Sequence, residues 1–141
     1  MTAPDTPSTS ETAETTETAE TAETIRLFND AFRRRDTKTM AALVHDECVM
    51  VSAQPAPDGT AYVGKKACVD FWAELMTDQA STFEVEHVFS AGAWATVRWR
   101  YRFGPADAES VLGVNVTRVS NGRVIEQLGY TKVPGGLPLP E

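Results

Sequence analysis

The chain has 141 residues, 42% of them apolar, and a formal charge of −7 from 13 basic and 20 acidic side chains. That length suits one domain, and that apolar share suits an ordinary soluble globular protein. No apolar run approaches the roughly 20 residues needed to cross a bilayer, and no Lys or Arg precedes Arg26, so the N-terminus does not read as a secretory signal and a cytoplasmic protein is expected. The charge is unevenly placed. Residues 1–24 carry Asp5, Glu11, Glu14, Glu17, Glu20 and Glu23 and no base, which leaves 14 acidic against 13 basic residues in the rest. A nearly neutral body lacks the basic field that nucleic acid binding requires.

Residues 1–23 are biased toward Thr, Glu and Ala, with Glu at every third position from Glu11 to Glu23. Period three marks no helix face, and nothing apolar is available to bury, so a disordered acidic tail is expected. Its last part is expected to fray into helix, because Ala and Glu are good helix formers. The folded domain is expected over 24–133.

From Thr24 the pattern changes. Ile25, Leu27, Phe28, Ala31 and Phe32 trace one apolar helical face. Arg33, Arg34 and Arg35 load its last turn, where cations suit the helix dipole. Asp36 or Thr37 then caps a short second helix carrying Met40, Leu43 and Val44. Cys48 to Ser52 reads as a strand, and 54–59 as a loop whose turn signal is Asp58-Gly59. Gly64 precedes a third helix with a stripe of Cys68, Phe71, Trp72, Leu75 and Met76. Both cysteines sit among apolar neighbours and read as core thiols.

Beyond Ser81 the period becomes two, and strands are expected at about 82–90, 93–103, 109–119 and 123–133. Ala91-Gly92 and Asn121-Gly122 mark tight reversals. The Pro/Gly-rich segment 134–141 cannot continue a strand. Three helices and a short strand followed by an antiparallel meander is an α+β order. Three helices do not fill the concavity of a twisted sheet, which leaves an apolar pocket with a few polar groups.

Three stretches carry a resemblance. "LFNDAFRRRDTKTMAALVHDECVMVS" resembles the opening helix pair and first strand of the nuclear transport factor 2-like superfamily. "PAPDGTAYVGKKACVDFW" resembles its loop into the third helix, and "GVNVTRVSNGRVIEQLGYTK" its closing hairpin. The likeness is to the SnoaL-like, ketosteroid-isomerase-like members. It implies a cone-shaped barrel of a curved, mostly antiparallel sheet wrapped around three N-terminal helices. That fold hosts isomerases, cyclases, dehydratases, epoxide hydrolases and non-enzymatic binding domains. Ketosteroid isomerases use an Asp base with a Tyr and a protonated Asp as oxyanion donors. The matching positions here read Ser52, Phe28 and Asn115, so that mechanism is not expected.

Strand alternation places Phe83, Val85, His87 and Phe89 on one face, Val97, Trp99, Tyr101 and Phe103 on the next, then Asn115 and Gln127. His87 is the first candidate for proton transfer near neutral pH. Asn115 or Tyr101 would hydrogen-bond a carbonyl oxygen, and Asp58 is the second-choice carboxylate, over the pocket mouth. Phe28, Ser52, Trp72, Phe89, Trp99 and Gln127 are expected to touch the ligand. His45-Asp46-Glu47 reads as turn chemistry instead. No metal, nucleotide or Cys-x-x-Cys pattern is present, so no cofactor is expected. Arg98, Arg100 and Arg102 form a basic stripe on the opposite face, expected to pair with Glu84, Glu86 and Glu109. Trp94 beside it suggests a homodimer face.

The expected function is a cofactor-free SnoaL-like enzyme of the cyclase, isomerase or epoxide hydrolase type. Its substrate would be a small apolar carbonyl or epoxide compound, such as a polyketide-like intermediate of secondary metabolism. The alternative is a non-catalytic small-molecule-binding or dimerisation module of the same fold.

Overall fold

The computed structural model describes residues 9–133 and Gly136, and for residues 9–14 the backbone alone. Helix α1 (Thr9–Arg33) is followed by α2 (Thr37–Ala42), β1 (Val44–Val51), β2 (Ala61–Val63), α3 (Lys65–Thr77), β3 (Thr82–Ala91), β4 (Trp94–Arg102), a 3-10 turn, β5 (Ser110–Ser120) and β6 (Arg123–Thr131). The six strands form one sheet in the order β2-β1-β6-β5-β4-β3. Only the β1–β6 pair is parallel; the other neighbours are antiparallel. The sheet curves around the helices and stays open at its β2 and β3 edges, an α+β architecture as expected.

Two apolar clusters join sheet to helices. Phe28 and Ala31 of α1 pack with Met40, Cys48, Met50, Cys68 and Trp72 at the β1 side. Ile25 packs with Ala95, Val97, Trp99 and Val119 at the β4–β5 side. Both cysteines are free and fully buried, and burial pushes both thiols above the ordinary cysteine range.

The chain departs from the expected boundaries at three places. First, α1 begins at Thr9, so the helix read from Thr24, with only the last part of the acidic segment fraying into it, runs back through residues 9–23. The acidic repeat does have something to bury: its threonines. Thr21 and Thr24 are buried. Thr21 Oγ1 donates to the Gly92 carbonyl at 2.7 Å, and Gly92 N–H donates to Thr18 Oγ1 at 2.8 Å. Residues 1–8 and nearly all of 134–141 lie outside the described residues.

Second, β1 starts at Val44, not Cys48, with a register shift between Val44 and Val49. His45-Asp46-Glu47 occupies that irregular stretch, where His45 Nδ1 accepts from the Glu47 N–H. Third, residues 61–63 form an edge strand, β2, where a loop was expected.

Between α1 and α2 the chain reverses at Arg35, whose φ is 57°. Its guanidinium donates to the carbonyls of Met76, Asp78 and Ser81, tying α1 to the end of α3. Asp36 caps α2 by accepting from the Thr39 N–H and hydroxyl, the arrangement expected of an N-cap.

Candidate functional site

The concave face of the sheet, α1 and α3 enclose a cavity of about 1020 Å³. Its walls are mainly aromatic and aliphatic. Phe28 and Phe32 come from α1, Phe71, Trp72 and Leu75 from α3, Tyr62 from β2, and Phe83, Trp99 and Tyr101 from β3 and β4. Phe28 meets Trp72 edge-on at 5.1 Å between ring centroids, and Phe83 meets Trp99 edge-on at 5.2 Å. Such edge-to-face pairs fix the rings that shape the cavity.

Seven of the expected residues line this cavity: Phe28, Ser52, Trp72, Trp99, Tyr101, Asn115 and Gln127. Asn115 stands opposite Val97 and Gly129, and Gln127 opposite Thr117 and Met50, so both amides lie on the concave face. Gln127 is buried, and its Oε1 accepts a long hydrogen bond from Thr117 Oγ1 at 3.5 Å. Among the described residues, nothing pairs with Gln127 Nε2, the Asn115 amide or the Tyr101 hydroxyl. None of those atoms is sealed from the cavity.

Ser52 reaches the cavity wall, but its hydroxyl serves the neighbouring loop. It donates to the Gln54 carbonyl at 2.6 Å and accepts from the Thr60 N–H at 3.2 Å. The Trp99 indole N–H is buried without a hydrogen-bond partner.

Three expected residues fall elsewhere, two of them for one reason. Val85 pairs with Trp99, yet His87 pairs with Arg98, so Glu86 is an extra residue in β3. One inserted residue reverses the alternation beyond it. His87 and Phe89 therefore point to the convex face, and both are exposed. His87 does not line the pocket and so is not placed to transfer a proton to a ligand there. Asp58 is exposed at the tip of the 53–60 loop and does not line the cavity. The loop turns it outward where the Gly59 N–H closes on the Pro55 carbonyl.

Four charged side chains line the rim: Arg26, Asp30, Arg33 and Glu84. Each is already paired, Arg26 with Glu23, Arg33 with Asp30, and Glu84 with Arg102. Hydrogen bonds from Arg33 and then Arg34 hold the Asp30 carboxyl below the usual aspartate range. A carboxylate so held is a weak base at neutral pH. Tyr62 escaped the sequence reading because its three-residue strand carries too short a signal. Asn29 and Asp30 escaped it because they flank, rather than belong to, the apolar stripe of α1.

On the convex face the arginine stripe is paired as expected with Glu86 and Glu84. Its third partner is Asp107, not Glu109. Arg118 lies over the Trp94 ring at 5.7 Å. Among the described residues, no group of three His, Cys, Asp or Glu side chains is placed to hold a metal ion. No helix among them is long and apolar enough to cross a membrane.

The SnoaL-like domain model matches residues 25–127. Among solved structures, the chain is 40% identical to a nuclear transport factor 2-like protein of unknown function from Mesorhizobium loti. That match covers 93% of this chain and 98% of the other, with a TM-score of 0.76. A Kribbella flavida protein assigned as a ketosteroid isomerase is 17% identical over 88% of this chain and 86% of its own, TM-score 0.70. A Sinorhizobium meliloti protein assigned as a polyketide cyclase is 17% identical over 76% and 93%, TM-score 0.63. Those two share the fold. Among curated proteins, none matches the chain in sequence. With that domain match spanning most of its length and that fold around its cavity, the chain belongs to the SnoaL-like family of nuclear transport factor 2-like proteins.

Proposed function

We propose that the cavity binds a small, uncharged, mostly apolar compound that carries oxygen. One observation carries this reading: the unpaired polar side chains at the cavity wall include the neutral Asn115, Gln127 and Tyr101, while the rim charges are paired among themselves. A charged ligand would lose its hydration without gaining a free counter-charge, which is strongly unfavourable. A neutral ligand loses little and gains apolar burial plus one or two hydrogen bonds. The test compares naphthol with naphthoate, read by quenching of the cavity tryptophans Trp72 and Trp99. Naphthol is expected to bind at least about ten-fold more tightly. Equal or tighter binding of naphthoate would overturn the reading.

A second reading adds catalysis of the cofactor-independent isomerase or cyclase type. It is favoured by the likeness to structures assigned to those activities. An amide aimed at a carbonyl oxygen stabilises the enolate that such chemistry forms, and enclosure orients the reacting chain. Epoxide hydrolysis is less well supported, because Asp30 and Glu84, the carboxylates at the cavity, are ion-paired. Exchange of α-carbon protons of a cyclic ketone in heavy water, followed by NMR, tests the catalytic reading. Exchange above buffer background that disappears in Asn115→Leu supports catalysis; its absence leaves binding alone.

A further inference from the structure

Gly129 lies on the concave face of β6, directly opposite Asn115. A Cβ built on Gly129 would stand 3.2 Å from the Ala53 backbone nitrogen, 3.3 Å from Asn115 Oδ1 and 3.4 Å from the Val51 carbonyl oxygen. The space left by the missing side chain is therefore walled by polar atoms, in a cavity that is otherwise apolar. Gly129 has no positive φ, so its backbone conformation does not demand glycine. The requirement is room.

The Ala53 N–H has no hydrogen-bond partner among the described residues. β1 ends at Val51, its neighbour Ser52 pairs with Thr60, and the chain leaves β6 before Ala53 can join the ladder. The Asn115 amide is likewise unpaired, and Ala53, Asn115 and Gly129 all line the cavity. A free backbone donor and a free side-chain acceptor thus border one niche. An unpaired donor or acceptor facing a mostly apolar cavity is unfavourable until something fills it.

We propose that this niche is a subsite for one hydroxyl or enol oxygen of the ligand. The oxygen accepts from the Ala53 N–H and its hydrogen is donated to Asn115 Oδ1. Nothing fixes the Asn115 amide from behind, so a half-turn about its last bond would present Nδ2 instead. The same niche would then give two donors to a carbonyl oxygen. A pair of neutral groups that serves both the enol and the keto form suits a pocket without a free charge. The inference rests on the binding reading above and narrows its ligand to oxygenated compounds that place the oxygen at Gly129.

The test uses naphthol and methylnaphthalene substituted at the same ring position, with the full chain. Wild type is expected to prefer naphthol about ten-fold, the worth of roughly one well-made buried hydrogen bond. Gly129→Ala fills the niche and is expected to bring the two affinities within about two-fold, leaving methylnaphthalene little changed. In the Asn115→Leu background, Gly129→Ala is expected to add almost nothing, since both act on one oxygen. In wild type, the Ala53 amide resonance is expected to move on addition of naphthol but not of methylnaphthalene, a readout independent of whether Gly129→Ala folds.

Equal binding of the two probes by wild type overturns the subsite and leaves the pocket reading standing. A static Ala53 resonance, or a naphthol preference that survives in Gly129→Ala, does the same. Binding of neither probe removes both readings.

Discussion

His87 stands opposite Arg98 on the convex face of the sheet, one residue out of step with the Val85–Trp99 pair beside it. The step is the Glu86 bulge, and it separates the histidine from the cavity. His87→Ala is therefore expected to leave naphthol affinity within about two-fold of wild type, as surface substitutions usually do. Loss of binding would mean that the bulge is not the ligand-binding arrangement.

Gly113 makes room for Trp99. A Cβ there would overlap the far edge of the indole ring and crowd the Tyr130 carbonyl. Trp99 is only 6% exposed, and the ring could yield only by moving into the cavity it lines, away from its edge-on contact with Phe83. Gly113→Ala is expected to destabilise the fold by about 1–3 kcal/mol, the usual range for overpacking a core. Urea denaturation followed by tryptophan fluorescence checks this.

Thr21 belongs to the acidic repeat, yet it is 1% exposed and hydrogen-bonded to the Gly92 carbonyl. Thr21→Val keeps its shape and removes the hydroxyl. The expected loss is about 1 kcal/mol, with faster amide exchange in the α1 segment around Thr18–Thr24. An unchanged exchange rate would show that this part of α1 is held by other contacts.

Asp36 titrates below its ordinary value because the Thr39 hydroxyl, and then the Thr39 N–H, hydrogen-bond its charged form. The unfolded chain binds that proton more readily, so the cap's stabilisation is present above the ordinary aspartate pKa and is lost as pH falls through the lower folded value. The Tm gap between wild type and Asp36→Ala is expected to be full at neutral pH. It should close as the pH is taken progressively below about 3.9. A gap independent of pH would assign the effect to helix propensity.

On the convex face Val114 pairs with Tyr130 and Val116 with Leu128. Tyr130 is 55% exposed and Phe89 62% exposed. We propose a homodimer through this face, since exposed aromatics next to an apolar stripe mark interfaces. Sedimentation at micromolar concentration should give a dimer, and Tyr130→Asp a monomer. A wild-type monomer would end that proposal.

The fold was legible because its signals repeat. The α3 stripe of Cys68, Trp72 and Met76 is buried as its spacing required, and Asn121-Gly122 does close the β5–β6 hairpin. The site was legible only as far as alternation holds. Asn115 and Tyr101 lie on unbroken alternation and line the cavity, and Gln127 lines it too, just past the irregularity that leaves Ile125 unpaired in β6. His87 and Phe89 lie beyond a bulge, and Glu86 has no residue chemistry that announces one. The niche at Gly129 was hidden for a different reason: it is made of an absent side chain and a backbone N–H.

Helix α1 carries one further consequence. It is a single rod of 25 residues, about 37 Å long at the standard rise. Thr18 and Thr21 grip it at the β3–β4 turn, and Asn29, Asp30 and Arg33 sit at the cavity further along. That grip lies about 12 Å along the helix from Asn29, with Ile25 and Phe28 packed into the core alongside, so the acidic repeat, remote from the cavity, anchors the same rod that supplies one of its walls.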